Sequence, residues 1–572
     1  MASNNRIPET RQEYLGAIPL LMSYFDRLHI KDIVDQALPV AGQAHVSHGE
    51  SVIAMLLAMF LREHRLYQVD ERLKDIDLAA LLGHQGLTAD QFNDNRLGWS
   101  LDKLYGNTAQ LYASVIFAAI KTFGLKIKRF HADFTSIVLH GSYPGSESGL
   151  PGLLQPPIPA RGFSKDHRPD LLQLVWGLVT SEEGVPILGN FENGNAAEPE
   201  LFRKQMLQLA GILENLRAEG AVMIGDSKLC TIATMAQAAD LKMPILTLTP
   251  ETWNLRAEAI EHACKMKELP LLMVTEEGEE YRGASWDIPV LIEEPGKPCR
   301  SAWLRVMAVY SSQLAKQKAV SRLRASKKEE TRLKAWSQKL EAREFACETD
   351  AMKVLNHEWK AANAKYYSMS YNIIREETLE KRRPGRPTKG ASVKSKSIWR
   401  VRMNLSEKAS IHPEGVNPDG FFVLMTTVTD KRKMSDVQML TLYKEQKTVE
   451  IGFHWLKGPM AMGPIFLKTP ERIQAMGFIF LLTLLTGALI QRDLRKSLRK
   501  RGGTVAYLGH KRTEAPTWNS ILTLFDSIRA TQVRIDGVWH RILHLFNEDH
   551  QEILTLLNLE HIYENNSCHV YS

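Results

Sequence analysis

At 572 residues the chain is too long for one ordinary core, and the usual span of roughly 100–200 residues per domain points to three or four units. Its 44% hydrophobic and 24% charged residues exclude a fibrous or wholly disordered chain. The net charge of +7 is modest, but Lys and Arg concentrate in 312–343, 381–403 and 491–512, and local basic stripes are what phosphate contacts need.

Residues 10 to about 124 carry helical periodicity, as in "IPLLMSYFDRLHIKDIVDQAL" and "GESVIAMLLAMFLREHRLYQVDERL", with turn signals between the runs. An all-helical N-terminal domain is expected. At 126 the pattern changes. "KIKRFHADFTSIVLHGS" sets Phe130, Ala132 and Phe134 on one face and His131, Asp133 and Thr135 on the other, the period of a strand. Two further strand-like runs, "DLLQLVWGLVT" and "GVPILGNFENGN", meet at the turn "SEEG". "EPELFRKQMLQLAGILENLRAEG" starts acidic and ends on Gly220, as a capped amphipathic helix does. The short apolar strand "AVMIGD" follows and closes on Asp226.

Three strands in meander, a crossover helix and a parallel strand are the layout of an RNase H-like α/β domain. Residues 251–435 break that order with short strands, a polar helix over roughly 312–382 and the basic segment "KRRPGRPTKG". They read as an insertion. The expected fold is therefore α/β: an RNase H-like catalytic domain interrupted by a mixed α+β insertion and preceded by an all-helical domain. The units are 1–124 (helical), 125–250 (first part of the core), 251–435 (insertion), 436–500 (core, with a Glu-bearing helix and a buried helix) and 501–572 (C-terminal helical region).

The apolar run "MGFIFLLTLLTGALI", 476–490, is shorter than the roughly 18–20 residues needed to span a bilayer, so a buried core helix is expected and no membrane contact. The five cysteines are scattered and form no C-x-x-C pair, and His262/Cys264 and Cys568/His569 are too closely spaced for one tetrahedral ion. The opening "MASNNRIPETRQEYLG" lacks a signal peptide's apolar stretch. A reduced chain in the cytoplasm is expected.

The chemistry centres on "LYKEQKTVEIGFHWLKGPMAMG", 442–463. On one ideal helix Tyr443, Gln446, Glu450, His454 and Lys457 fall within about an 80° arc. That stripe reads either as a solvated helix face with internal pairs or as part of a site. Asp133 stands mid-strand, where Asp is disfavoured, and Asp226 closes a strand. Each alone fits a turn or strand end. In the RNase H-like layout the two strands are neighbours, so Asp133 and Asp226 converge and a later helix brings up Glu450. Three converging carboxylates require cations, and oxygen-only ligands favour Mg²⁺ or Mn²⁺. Two such ions, about 4 Å apart, support in-line displacement at phosphorus.

With these residues in place, the chain resembles bacterial insertion-sequence transposases of the DDE class, in the group whose third acid lies in a Y-x2-R-x3-E-x6-K signature. Tyr443, Glu450 and Lys457 match it, and Gln446 stands where the family has arginine. "FHADFTSIVLHGS", "GFSKDHRPDLLQL", "MIGDSKLC" and "DGFFVLMTT" extend the likeness over most of the chain. The resemblance implies binding of terminal inverted repeats, metal-dependent cleavage at element ends and strand transfer into double-stranded target DNA. Asp133, Asp226 and Glu450 would bind two ions per site. Tyr443, Gln446 and Lys457 would lie along the DNA backbone, with His454 added from its place on the same helix face, and the enzyme would act as a homodimer on DNA, associated with the nucleoid.

Other segments stay open between DNA contact and solvated surface: Lys165, His167 and Arg168 before the second strand, and Arg386 in a Gly-Arg-Pro core resembling a minor-groove hook. Two further functions share much of this pattern, an RNase H-like nuclease that only hydrolyses DNA and a non-catalytic, transposase-derived DNA-binding protein.

Overall fold

The computed structural model describes residues 10–42, 44–140, 143, 156–163, 168–218, 220–293, 296, 298–379, 395–408, 418–446, 450, 452–453, 465–535 and 538–563. The chain divides into two compact units. The first comprises 1–250, 287–305 and 425–572, and the second 251–286 and 306–424.

In the first unit, helices fill most of 18–123. Ser47 and Glu50 close a reciprocal capping box on His48–Phe60, every residue of which is buried. A helix apolar all round belongs in a core. Thr108–Phe123 ends on Gly124 at φ +61°, a left-handed position that glycine takes without strain.

The all-helical expectation fails at the start of this region. Strand β1, Thr10–Tyr14, pairs antiparallel with Arg529–Ile535, which pairs in turn with Val538–His544. Residues 501–572 are likewise not simply helical, since they also hold the strand pair Val505–Tyr507 and Lys511–Thr513. The missed signal is local: Asp536-Gly537 between alternating runs is a hairpin dipeptide. The partner strand carries almost no signal, because five residues so far away in sequence cannot show their pairing. Glu13 meets Arg541 at 2.6 Å, with only about a tenth of either side chain exposed.

The sheet follows as β2 (Arg129–Leu139), β3 (Leu172–Ser181), β4 (Pro186–Glu192), β5 (Val222–Gly225) and β6 (Ile245–Leu248). Their order is β4-β3-β2-β5-β6. The first three form an antiparallel meander, whereas β5 runs parallel to β2 and β6 parallel to β5. Helix Glu198–Asn215 makes the crossover and packs Phe202 edge-on against Phe134, centroids 4.8 Å apart. Gly177 lies opposite Phe134 on β3, and a Cβ there would come within 2.7 Å of that ring. This leaves the crossover helix on the Phe134 face and Asp133 on the other.

The long apolar helix runs Pro470–Arg501, about twice the length of the apolar run that marks it. Length alone would let it cross a membrane. Its position decides the matter: 89% of its most apolar window is buried within the protein. Gly477 gives it close approach to Trp176 and Phe191, and Trp176 pairs with Thr135, so the helix covers the sheet face that carries Asp133.

In the second unit, Leu271–Val274 pairs antiparallel with residues 280–282. The polar segment expected as one helix over 312–382 is three elements: helix Ser312–Glu341, helix Glu348–Ala362 and strand Tyr367–Leu379. Lys, Glu and Ala continue past the break and mask it, whereas the alternation in "YSMSYNII" marks the strand. That strand forms a 13-residue ribbon with Ser395–Glu407, packed by Val401 onto Leu340, Ala351 and Leu355.

Candidate active site

Two adjacent parallel strands bring the aspartates together. The pairing of β2 with β5 runs Arg129 to Val222, Phe130 to Met223 and His131 to Ile224. Continued by two residues, it sets Asp133 beside Asp226. Asp226 caps the short helical turn Ser227–Leu229, its carboxylate accepting the Lys228 N–H at 2.9 Å. Its backbone carbonyl accepts the Thr247 hydroxyl of β6 at 2.6 Å, which fixes the strand end. Asp133 is half-buried, and its Oδ1 accepts the Phe134 N–H at 2.7 Å.

Glu450 approaches from the same side. Gly452 sits so close to β3 that a Cβ would lie 2.8 Å from Leu178 Cδ2, and Leu178 is the direct antiparallel partner of Asp133. Cross-strand partners point to one face, so the Glu450 segment rests on the face that carries Asp133. Glu450 itself is exposed, whereas Phe453 is buried.

Tyr443, near the end of helix Asp436–Lys444, joins the four groups. Its phenol is pushed up to about 12, first by burial and then by the carboxylates of Asp226, Glu450 and Asp133. All three acids therefore act on one hydroxyl, which keeps its proton at neutral pH and can donate it to an acceptor.

Tyr443, Gln446 and Glu450 do not share the single helix that the ideal projection assumed. The helix ends at Lys444, Glu445 caps it, and Gln446 lies in a turn with its N–H on the Tyr443 carbonyl at 3.2 Å. The hydrogen bonds tighten there from four residues to three, as helix ends do. His454, Lys457, Lys165, His167 and Arg386 lie outside the described residues. Arg168 is half exposed, and a bidentate pair with Asp170 at 2.8 and 2.7 Å ties down its guanidinium. The arginine holds the Asp170 carboxyl down at about 2.

Two residues escaped the sequence reading. His131, on the Asp133 face of β2, is fully buried, and among the described residues neither ring nitrogen has a hydrogen-bond partner. Burial, with a smaller contribution from Arg129, holds it down at about 4 and hence neutral. Arg305 is also fully buried, and its Nη2 donates to the Met434 carbonyl at 2.6 Å. Met434 precedes Ser435, whose capping box starts the Tyr443 helix. A polar residue inside an apolar run was the available signal in both cases, "RFHADF" and "WLRVMAVY".

Among the described residues no three His, Cys, Asp or Glu side chains stand close enough together to hold a metal ion as they are. The donors that do converge on Tyr443 are oxygen-only, the chemistry of a hard divalent cation. Of the described cysteines, Cys230 is buried and its thiol pushed up to about 12 by that burial, which suits neither a ligand nor a nucleophile.

Residues 10–117 match a domain of unknown function, DUF4277. No curated protein matches the chain. Among solved structures, the cryo-EM structure of a piggyBac transposase synaptic complex with hairpin DNA is similar at 8% identity, over 90% of this chain and 82% of that one, with a TM-score of 0.36.

Proposed function

We propose that the chain is a DDE-class DNA transposase with an RNase H-like core, cleaving DNA at element ends and joining those ends to target DNA. The strand order β4-β3-β2-β5-β6, antiparallel first and parallel after, supports the RNase H-like assignment. The observation that best supports the functional reading is that the continued β2–β5 register sets Asp133 beside Asp226 while the Glu450 segment rests against Leu178, the partner of Asp133.

In this reading the three carboxylates supply oxygen ligands for two Mg²⁺ or Mn²⁺ ions. Such ions, if bound there, would supply activation of the attacking oxygen and stabilisation of the leaving oxygen at phosphorus. The Tyr443 hydroxyl, held protonated, donates to a non-bridging phosphate oxygen and positions the strand. Gln446 offers an uncharged amide where the related signature has arginine, so it orients phosphate without neutralising it. His454 and Lys457 are assigned to the same DNA strand, and Lys165, His167, Arg168 and Arg386 to flanking DNA. Processing two element ends calls for a homodimer on double-stranded DNA, in the cytoplasm with the nucleoid.

A strand-transfer assay with paired terminal repeats in Mg²⁺ tests the proposal. Joined products support it. Hydrolysis without joining would make the protein a nuclease, and binding with no cleavage a DNA-binding regulator.

A further inference from the structure

Helix Ser312–Glu341, in the second unit, has two faces of opposite character. Ser326, Glu329, Leu333, Ser337 and Leu340 are its buried residues, and at 100° per residue they fall within about 80° of arc. Ala315 and Arg322 extend that stripe toward the N-terminus. A Cβ on Gly420 would stand 2.9 Å from the Ala315 Cβ, and Arg322 pairs with Asp419.

Turned about 110° from that stripe, Lys316, Val320, Leu323 and Lys327 share about 60° of arc, with Arg324 about 40° beyond. Val320 is 47% exposed and Leu323 61%. The helix carries nine Lys and Arg against three Glu. Arg322 pairs with Asp419 and Lys334 with Glu330, but among the described residues no carboxylate forms an ion pair with Lys316, Lys318, Arg324, Lys327 or Lys328.

A helix that only meets water has no use for an uncovered Val-Leu pair, and valine weakens a helix intrinsically. Apolar side chains bracketed by cations that form no ion pair among the described residues describe a surface that closes on a partner both anionic and locally apolar. Lys316 and Lys327 are eleven residues apart, about 16 Å along the axis. The DNA major groove is about 12 Å wide, walled by phosphates and floored by base edges that include thymine methyl groups. Two extended lysines can reach the two walls while Val320 and Leu323 face the floor. We infer that the uncovered face of this helix is a docking surface for duplex DNA, with Lys316, Arg324 and Lys327 on phosphates and Val320 and Leu323 toward base edges. The inference rests on the transposase reading for its partner and adds a contact surface distant in sequence from the acidic residues.

The test is binding of the full-length protein to a short fluorescein-labelled duplex, followed by anisotropy across a salt series. Replacing Lys316, Arg324 and Lys327 by Ala should lower the slope of log affinity against log salt by about 2–3, at about 0.9 per phosphate, and weaken low-salt binding at least about tenfold. Alanine favours helix, so circular dichroism should not change. Val320→Ser with Leu323→Ser should weaken binding at an unchanged slope. Lys353→Ala with Lys360→Ala, exposed lysines on helix Glu348–Ala362, should bind as wild type. A triple variant with wild-type slope and affinity overturns the assignment and leaves the face to an acidic protein. If Asp226→Asn abolishes cleavage while the face variants bind as wild type, only the docking surface falls. If the wild-type protein shows no salt-dependent duplex binding, the transposase reading falls with it.

Discussion

Asp133 within β2 and Asp226 just past the end of β5 lie two register steps beyond the His131–Ile224 pair of the parallel ladder. The backbone ladder therefore sets Asp133 and the approach to Asp226, and the turn that Asp226 caps, with the Thr247 hydroxyl on its carbonyl, fixes the second carboxylate. Asparagine keeps the shape of each side chain and, at Asp226, the cap on the following turn. If the proposed site is correct, Asp133→Asn and Asp226→Asn should each cut DNA cleavage by at least about 10–100-fold, the loss that follows when even an outer partner of a metal ligand is changed. Thermal midpoints and duplex binding should stay near wild type. Gel-based cleavage and anisotropy on the same preparations check this, and retained cleavage would remove the pair from the active site.

Tyr443→Phe deletes one hydroxyl and little volume. If that hydroxyl donates to phosphate, the loss is a hydrogen bond to a charged acceptor, about 1.5–3 kcal/mol, or roughly ten- to a hundredfold in cleavage rate. Single-turnover cleavage at saturating DNA reads it directly. An unchanged rate would leave Tyr443 a packing residue.

Arg305 tests how the Tyr443 helix is held. A fully buried guanidinium bonded to the Met434 carbonyl leaves that carbonyl without its donor when it is removed, whereas Asp436, 3.9 Å away, keeps Lys431 at 3.1 Å. Arg305→Ala should destabilise by about 1–3 kcal/mol through the lost donor and further through the space it leaves, whereas Arg305→Met, which keeps the volume, should cost less. Urea melts of the two variants give the comparison, and equal losses would point to packing alone.

His48 supplies a pH dependence far in sequence from the acids. It is buried, with Nδ1 3.1 Å from the Ser100 hydroxyl. Burial, aided by Arg96, holds it down at about 4. The unfolded chain binds the proton more readily than the folded one between about 6.5 and 4. Stability is therefore lost as pH falls through that window. His48→Gln should flatten this part of the urea midpoint against pH profile, and an unchanged profile would assign the loss to other groups.

The setting of Asp133 and Asp226 in the candidate site was legible because both belong to or adjoin regular strands. The period-two alternation around Asp133 marks both its strand and its face, and "AVMIGD" is too short and apolar to be anything but a buried strand ending on its acid. What was not legible depended on where helices stop. Tyr443, Gln446 and Glu450 project together only on an unbroken helix, and the break after Lys444 is a hydrogen-bond event in a polar stretch whose composition continues past it. Gln446 thus departs from the family signature where the backbone itself leaves the helix. His131 and Arg305 show the converse. Their burial is a tertiary fact, and single polar residues in apolar runs announce it only faintly.

The Tyr14 hydroxyl donates to Asp526 at 2.7 Å across 512 residues of chain, beside the pairing of β1 with Arg529–Ile535. On a ribosome adding about 5–20 residues per second, β1 waits roughly 25–100 s for its partner strand. Throughout that interval the nascent chain carries an unpaired strand edge, the feature most prone to pair with a neighbouring copy. A message cut short before codon 529 would release chains with that edge permanently open, so aggregation of truncated products, rather than partial activity, is the expected fate of incomplete synthesis.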